Sequence, residues 1–307
     1  MDVLQGFGAL PIVGDSAVTI GFFDGVHRGH QAVLGRTVGA ARAQGLRAVA
    51  VTFDRHPLHT LSPGKVPPLL TTLRRKAELI ESLGVDALFV LEFTEEVSTW
   101  PPDAFVDRVL VDGLHARHVA VGSNFTFGHR AAGNIRVLND LGAARGFVVQ
   151  GVSMFTLNGR RVSSTSIREA LALGDLVWPE LALGRRYAVE GTVVPGAGRG
   201  RELGYPTANL RTPDGLLLPA RGVYAGRAGT GGRWWAAAIN VGTNPTFGRE
   251  PLHLEAYLLD FQGRLGSEVL TVEFWDRLRD EERFATPADL SRQIGLDVER
   301  TRALVTP

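Results

Sequence analysis

His27 and His30 stand three residues apart in the stretch Gly21-Phe22-Phe23-Asp24-Gly25-Val26-His27-Arg28-Gly29-His30. The apolar run Ala17-Val18-Thr19-Ile20 before it reads as a buried strand, and Gln31-Ala32-Val33-Leu34 after it as the start of a helix. Two imidazoles therefore fall at a glycine-rich strand-to-helix turn. Unpaired backbone N–H groups and the positive end of a helix dipole make such a turn attractive to phosphate. The glycines admit an anion close to the backbone, and the imidazoles add donors that can follow charge as it builds. A pair of ordinary turn histidines would look the same, so the remaining motifs must decide.

Three further stretches of the first half suit a nucleotide. Residues 121–128 (Val-Gly-Ser-Asn-Phe-Thr-Phe-Gly) place Asn124 between glycines after a strand, where its amide can bond a base, ribose or phosphate or simply close a turn. Ser163-Ser164-Thr165-Ser166-Ile167-Arg168 crowds hydroxyls onto a helix start; capping alone would explain them, but Arg160, Arg161 and Arg168 add a preference for an anion. Asp54-Arg55-His56-Pro57 closes a second strand. A phosphate attacking the α-phosphorus of ATP is already ionised and needs no general base. The protein must hold both partners and neutralise the departing pyrophosphate, work for which His27, His30, Ser164, Thr165 and Arg168 are suitable types. No Gly-x4-Gly-Lys-[Ser/Thr] loop is present, which excludes a P-loop enzyme.

The second half carries a different chemistry. Residues 195–201 (Pro-Gly-Ala-Gly-Arg-Gly-Arg) form a basic glycine-rich stretch, read either as a phosphate cradle or as a hairpin loop. Thr207 and Asn209 alternate, so both side chains leave one face of an extended strand. A hydroxyl and an amide oxygen suit Mg²⁺, which keeps waters and shares substrate phosphates; the pair could also cap a turn. Glu255 interrupts the apolar run 254–261, where a carboxylate is costly without a role or a partner. It can serve as the proton acceptor for an alcohol attacking a γ-phosphorus, or pair with an arginine. Residues 240–248 and 278–284 read as loops able to close over a flat ligand.

These residues need a scaffold, and 307 residues with 44% hydrophobic content favour two domains. Up to about residue 183 the texture alternates. Strands are expected near 18–22, 47–53, 87–93, 118–122 and 147–152, and helices near 30–44, 73–83, 102–110, 134–146 and 165–173, with 176–183 leading to the boundary. That order predicts a parallel sheet covered on both faces, with ligands at the carboxyl ends of its strands. From residue 187 short β-rich runs at 187–194, 222–228, 234–241, 253–261 and 269–274 predict a compact antiparallel barrel, followed by a helix over 286–304. The expected domains are 1–183 and 184–307. Lys+Arg number 33 against 32 Asp+Glu, so no basic field draws nucleic acid. The absence of cysteine excludes disulfides and thiolate sites. No leader pattern or bilayer-length apolar run occurs, so no membrane partner is expected and the cytoplasm is the expected location.

In motif order and over nearly its whole length, the chain resembles the bacterial bifunctional riboflavin kinase/FAD synthetase family. Residues 21–30 look like that family's nucleotidyltransferase signature, 121–128 and 163–168 like its second and third adenylylation motifs, and Gly204-Tyr205-Pro206-Thr207-Ala208-Asn209 like its flavokinase motif. The resemblance implies a Rossmann-like domain followed by a six-stranded antiparallel riboflavin kinase barrel with a C-terminal helix. It implies phosphorylation of riboflavin to FMN by MgATP, then adenylylation of FMN to FAD with release of pyrophosphate. The small molecules riboflavin, FMN and ATP would be the partners. In the adenylyltransferase, Gly21, Phe22, Phe23, Asp24, Gly25, His27, Gly29, His30, Asn124, Arg161, Ser163, Ser164, Thr165 and Arg168 would bind ATP, with His27, His30 and Arg168 catalytic. Asp54, His56 and Pro57 would meet the flavin. In the kinase, Gly196, Gly198, Arg199, Gly200, Arg201, Thr207, Asn209 and Asn240 would bind ATP, Thr207 and Asn209 the metal, and Arg279, Phe284 and the base Glu255 the flavin.

The chain departs from the family pattern at four places. Arg55 stands in an expected Asp-Pro-His-Pro, Asn124 where Asp is frequent, Tyr257 where His is common, and Arg264-Leu265-Gly266 in place of Leu-Tyr-Gly. The last change removes an aromatic near the kinase substrates. The alternative to a bifunctional enzyme is an FMN adenylyltransferase whose kinase-like barrel binds flavin without turnover.

Overall fold

The computed structural model describes residues 1–196, 199–242 and 253–306, except for the side chain of Arg199. Contacts divide the chain into a first unit of residues 1–67 and 73–163 and a second of 68–72 and 164–307.

In the first unit, runs rich in Val, Ile and Ala form six parallel strands: β1 (Asp2–Gln5), β2 (Ser16–Ile20), β3 (Arg47–Phe53), β4 (Ala87–Leu91), β5 (Ala116–Gly122) and β6 (Val148–Val152), in the order β1-β4-β3-β2-β5-β6. Every residue of β2 and β4 is buried, as expected of strands covered on both faces. On one face Leu34 of α1 (Arg28–Gln44) and Ile80 of α2 (Leu73–Glu81) pack with Ala50, Leu88 and Val90. On the other, Leu138 of α3 (Ile135–Arg145) joins Val18, Val49, Phe89 and Val119. The chain winds outward in opposite directions from β2 and β5, so their carboxyl ends flank the switch point where ligands settle in such sheets. The short edge strand β1, parallel to β4, carries no apolar alternation and is an addition to the expected set.

In the second unit, α4 (Ser164–Ala172) and α5 (Val177–Leu183) precede a closed barrel of β7 (Tyr187–Val194), β8 (Ala208–Arg211), β9 (Gly222–Thr230), β10 (Arg233–Gly242), β11 (His253–Leu258) and β12 (Val269–Arg279). Its order is β7-β8-β11-β10-β9-β12, with all pairs antiparallel. Inward residues alternate with outward ones: Leu254, Ala256 and Leu258 are buried, while Glu255 and Tyr257 between them are not. β9 and β10 run longer than their apolar stretches because Gly231 and Gly232, both at positive φ, close a two-residue hairpin that pairs Thr230 with Arg233. The four-residue β8 is the strand that texture alone left out. Outside the barrel, α6 (Pro287–Leu304) sets Val298 against Ala225, Ala236 and Leu278. Its start is as expected, with Pro287 in the first turn and the Thr286 hydroxyl accepting the Asp289 N–H at 3.2 Å.

Residues 68–72 also belong to this unit. Leu69 bridges Leu216, its N–H donating to Gly215 O at 2.7 Å, and the Thr72 hydroxyl donates to Glu190 at 2.9 Å. The α4 end is tied in by the Ala220 N–H, which donates to Leu171 O at 2.9 Å.

Candidate functional site

Between β2 and α1 the backbone makes a strained turn, with Phe23 at φ +53° and Val26 at φ +41°. His27 caps α1: its Nδ1 accepts the His30 N–H at 3.2 Å, which leaves Nε2 to carry the proton of the neutral ring. The two imidazoles stack, centroids 3.6 Å apart and planes 16° from parallel, and Phe23 meets His30 edge-on at 5.3 Å. The glycines leave little room for a side chain here. A Cβ on Gly21 would lie 2.9 Å from the Phe23 ring, and one on Gly29 3.1 Å from His27. Burial pushes the His30 pKa well below its usual value, and the neighbouring His27 and Lys76 lower it further, so His30 is neutral at pH 7. Its Nδ1 is buried without a hydrogen-bond partner among the described residues. Asp24 and His27 are both buried.

The turns after β3 and β5, at the same end of the sheet, carry other expected residues. The Asn124 amide oxygen sits 3.3 Å from where a Cβ on Gly122 would be, in the turn after β5. After β3, the His56 ring stands edge-on to Phe22 at 4.7 Å, and its Nδ1 accepts the Leu58 N–H at 3.1 Å. Pro57 leads into the short helix Leu58–Leu61. Asp54 accepts the Phe93 N–H at 3.0 Å, and the departing residue Arg55 donates to its carboxylate at 2.8 Å. Arg161 lies on the exposed strand Arg160–Arg161, near Met154, and Ser163 ends the first unit. Ser164, Thr165 and Arg168 open α4 in the second unit, where Arg168 Nε donates to Pro68 O at 2.7 Å.

Lys76 of α2 is a residue that motif reading missed. It is 3% exposed, its Nζ lies 3.3 Å from Thr52 Oγ1 and 4.1 Å from the Phe22 ring centre, and burial lowers its pKa to about 8. The signal was present: Leu73, Lys76, Ala77 and Ile80 recur at the spacing of one helix face, and that face is apolar except for the lysine.

In the barrel the strand register collects the second set. Asn209 on β8 pairs with Glu255 on β11, and Glu255 with Asn240 on β10; the row continues through Val223 to Arg279. Directly opposed residues share a face, so the two amides, the carboxylate and the arginine line the barrel's outer side. The Thr207 hydroxyl lies 3.4 Å from the Glu255 carboxylate. A Cβ on Gly196 would overlap the Asn209 amide, and one on Gly200 the Tyr205 carbonyl, so these two glycines lie directly against the 205–209 stretch. Arg201 is exposed in the short helix Arg199–Glu202. Arg279 forms a forked pair with Asp297 of α6, at 2.8 and 3.0 Å, and lies 5.6 Å over the Phe284 ring. Tyr257, at the third departure, meets Tyr205 edge-on at 5.5 Å. Gly198, the Arg199 side chain and residues 243–248 lie outside the described residues.

Two family models match the chain in sequence order: one described as FAD synthetase over residues 11–166, and one described as riboflavin kinase over residues 183–305. A bifunctional riboflavin kinase/FMN adenylyltransferase of Pseudomonas fluorescens is 40% identical over 290 residues, covering 94% of this chain and 93% of that protein. A protein of the same description from Bacillus subtilis is 34% identical over 287 residues, covering 92% and 90%. A crystal structure described as a macrolide-efflux protein from Streptococcus pneumoniae is 28% identical with a TM-score of 0.90, covering 98% and 99%. No helix among the described residues of this chain is long and apolar enough to cross a membrane.

Proposed function

The chain belongs to the bifunctional riboflavin kinase/FMN adenylyltransferase family, and on that premise we propose how its residues divide the two reactions. It phosphorylates riboflavin to FMN and adenylylates FMN to FAD, with ATP as the second substrate of both steps. We assign the adenylyl transfer to residues 1–183 and the kinase to residues 184–307, and we place the protein in the cytoplasm.

In the kinase half, the observation that carries the assignment is the cross-strand row of Asn209, Glu255 and Asn240 with the Thr207 hydroxyl against it. Glu255 takes the proton of the ribityl hydroxyl as its oxygen attacks the γ-phosphorus. Thr207 and Asn209 present neutral hard oxygens beside the Gly196 backbone, a donor set that fits Mg²⁺ shared with ATP phosphates. Bound there, the metal would offset phosphate charge. The Gly196–Arg201 segment cradles the nucleotide, while Arg279 and Phe284 face the flavin.

In the adenylyltransferase half, an FMN phosphate oxygen bonds to the α-phosphorus of ATP, and the bond to the bridging oxygen of the β-phosphate breaks. The electron pair leaves with pyrophosphate, and no proton has to be removed. His27, through Nε2–H, and the neutral His30 donate to phosphate oxygens as charge accumulates. Asn124, Arg161, Ser163, Ser164, Thr165 and Arg168 supply the remaining nucleotide contacts; Asp54, His56 and Pro57 face the flavin.

Resolving FMN from FAD over time in two variants tests the division. Glu255→Gln should lose riboflavin phosphorylation by about 10²–10⁴-fold while still converting added FMN to FAD. His30→Ala should lose adenylyl transfer by about 10²–10³-fold while still making FMN. Unchanged phosphorylation in the first variant removes Glu255 as base, and unchanged FAD formation in the second removes the histidine turn as the triphosphate site.

A further inference from the structure

Two of the 33 basic residues are lysines, and one of them, Lys76, is buried against the histidine turn. Its surroundings come from three elements besides its own. Thr52 of β3 accepts its N–H at 3.3 Å and passes its own hydroxyl proton to Phe22 O at 3.1 Å. The Phe22 ring, from the turn, covers the ammonium at 4.1 Å. Asp24, also from the turn, attracts the charge without forming an ion pair with it, and His30 of α1 feels it as a repelling neighbour. Among the described residues Thr52 is the sole hydrogen-bond partner of Lys76. A desolvated ammonium with one neutral partner costs folding free energy, and an apolar side chain of similar length would fill the slot without that cost.

We propose that Lys76 is a positioning residue for adenylyl transfer: its ammonium fixes Phe22 and Thr52 beneath the turn and holds a positive charge behind His30 that Asp24 attracts without an ion pair and the bound triphosphate neutralises. A fixed charge in a water-excluded site acts on a polyphosphate far more strongly than the same charge at the surface. It also keeps His30 a neutral N–H donor until the anion arrives. Arginine supplies nearly every other cation of the chain, but a guanidinium is broader than an ammonium and cannot lose its proton under such burial. This inference rests on the reading of the His27/His30 turn as the triphosphate site.

The test is the pH profile of FAD formation from added FMN, with riboflavin phosphorylation by the same sample as the measure of folding. Burial holds the free-enzyme ammonium near pH 8, so kcat/KM for ATP should fall as pH rises through about 8. The triphosphate restores the proton, so kcat at saturating ATP should stay level to higher pH. Lys76→Met should lower kcat/KM for ATP by about tenfold or more at pH 7 and abolish that alkaline limb. Asp24→Asn, which removes the anion facing the ammonium, should move the limb to lower pH and can be read even if the methionine variant folds poorly. A limb that persists in Lys76→Met, a kcat/KM within about twofold of the unmodified protein, or an unmoved limb in Asp24→Asn overturns the proposal. If His30→Ala forms FAD normally, the site reading itself has failed; if His30→Ala is impaired and Lys76→Met is not, this inference alone has.

Discussion

His30 and Lys76 are both held in the folded chain where a proton binds more weakly than it does in water. Each therefore favours unfolding over the pH range in which the unfolded chain still keeps that proton. For His30, stability is lost as pH falls below about 6.5, the ordinary imidazole value. For Lys76, stability is gained as pH rises from about 8 toward the ordinary lysine value of 10.5. Thermal melting of the unmodified protein and of His30→Asn, followed from pH 7 to about pH 5, should show a shallower acid decline in the variant. An identical slope would mean that His30 does not take up its proton on unfolding in this range. The residue types of this turn were readable from the sequence; the packing of Phe23 and His27 against its glycines was not. Nor was the stacking of the two rings, because it depends on the strained turn that sets His27 against His30, and the buried ammonium showed only as one lysine on an otherwise apolar helix face.

At the scale of elements, the barrel shows why a strand can hide. Asn209 and Glu255 were separately legible as chemistry-bearing residues, yet nothing local says that they pair. Register between β8 and β11 is a non-local property, set when Ala208 and Leu210 must point inward together with Leu254 and Ala256. With four residues, β8 escapes the count of β-rich runs, although the alternation of Thr207 and Asn209 reads as extended chain. The helix α6 was readable from its proline and its threonine cap, but its partner on the barrel was not. That partner is Arg279, whose guanidinium is paired with Asp297, itself 2% exposed. Asp297 also accepts from Gln293 at 3.1 Å. Asp297→Ala leaves a largely buried cation unpaired, so denaturant unfolding should report a loss of about 3–5 kcal/mol. The KM for riboflavin should rise in the same variant, since Arg279 loses the partner that orients it.

At the scale of the whole molecule, the alternating first half and the glycine-punctuated second half correctly separate a parallel sheet from an antiparallel barrel. The expected change at residue 184 marks a change of texture, whereas contacts follow surfaces. α4 and α5 pack in the barrel unit, and a Cβ on Gly174 would come within 2.7 Å of the Arg277 side chain on β12. A fragment of residues 184–307 contains the kinase residues but lacks those helices. It should melt below a fragment of residues 164–307, and equal melting temperatures would show that α4 and α5 add nothing to the barrel.

The bridge between Leu69 and Leu216 has a consequence for how the chain is made. About 145 residues must leave the ribosome after Leu69 before its partner exists, so a stretch near the N-terminus stays unsatisfied until the second half is well advanced. Synthesis in order therefore leaves Leu69 without its strand partners until residues 215–217 have emerged. Anyone grafting the kinase of one such protein onto the adenylyltransferase of another has two seams to match, and the less obvious one is five residues long, in the middle of the donor's first half.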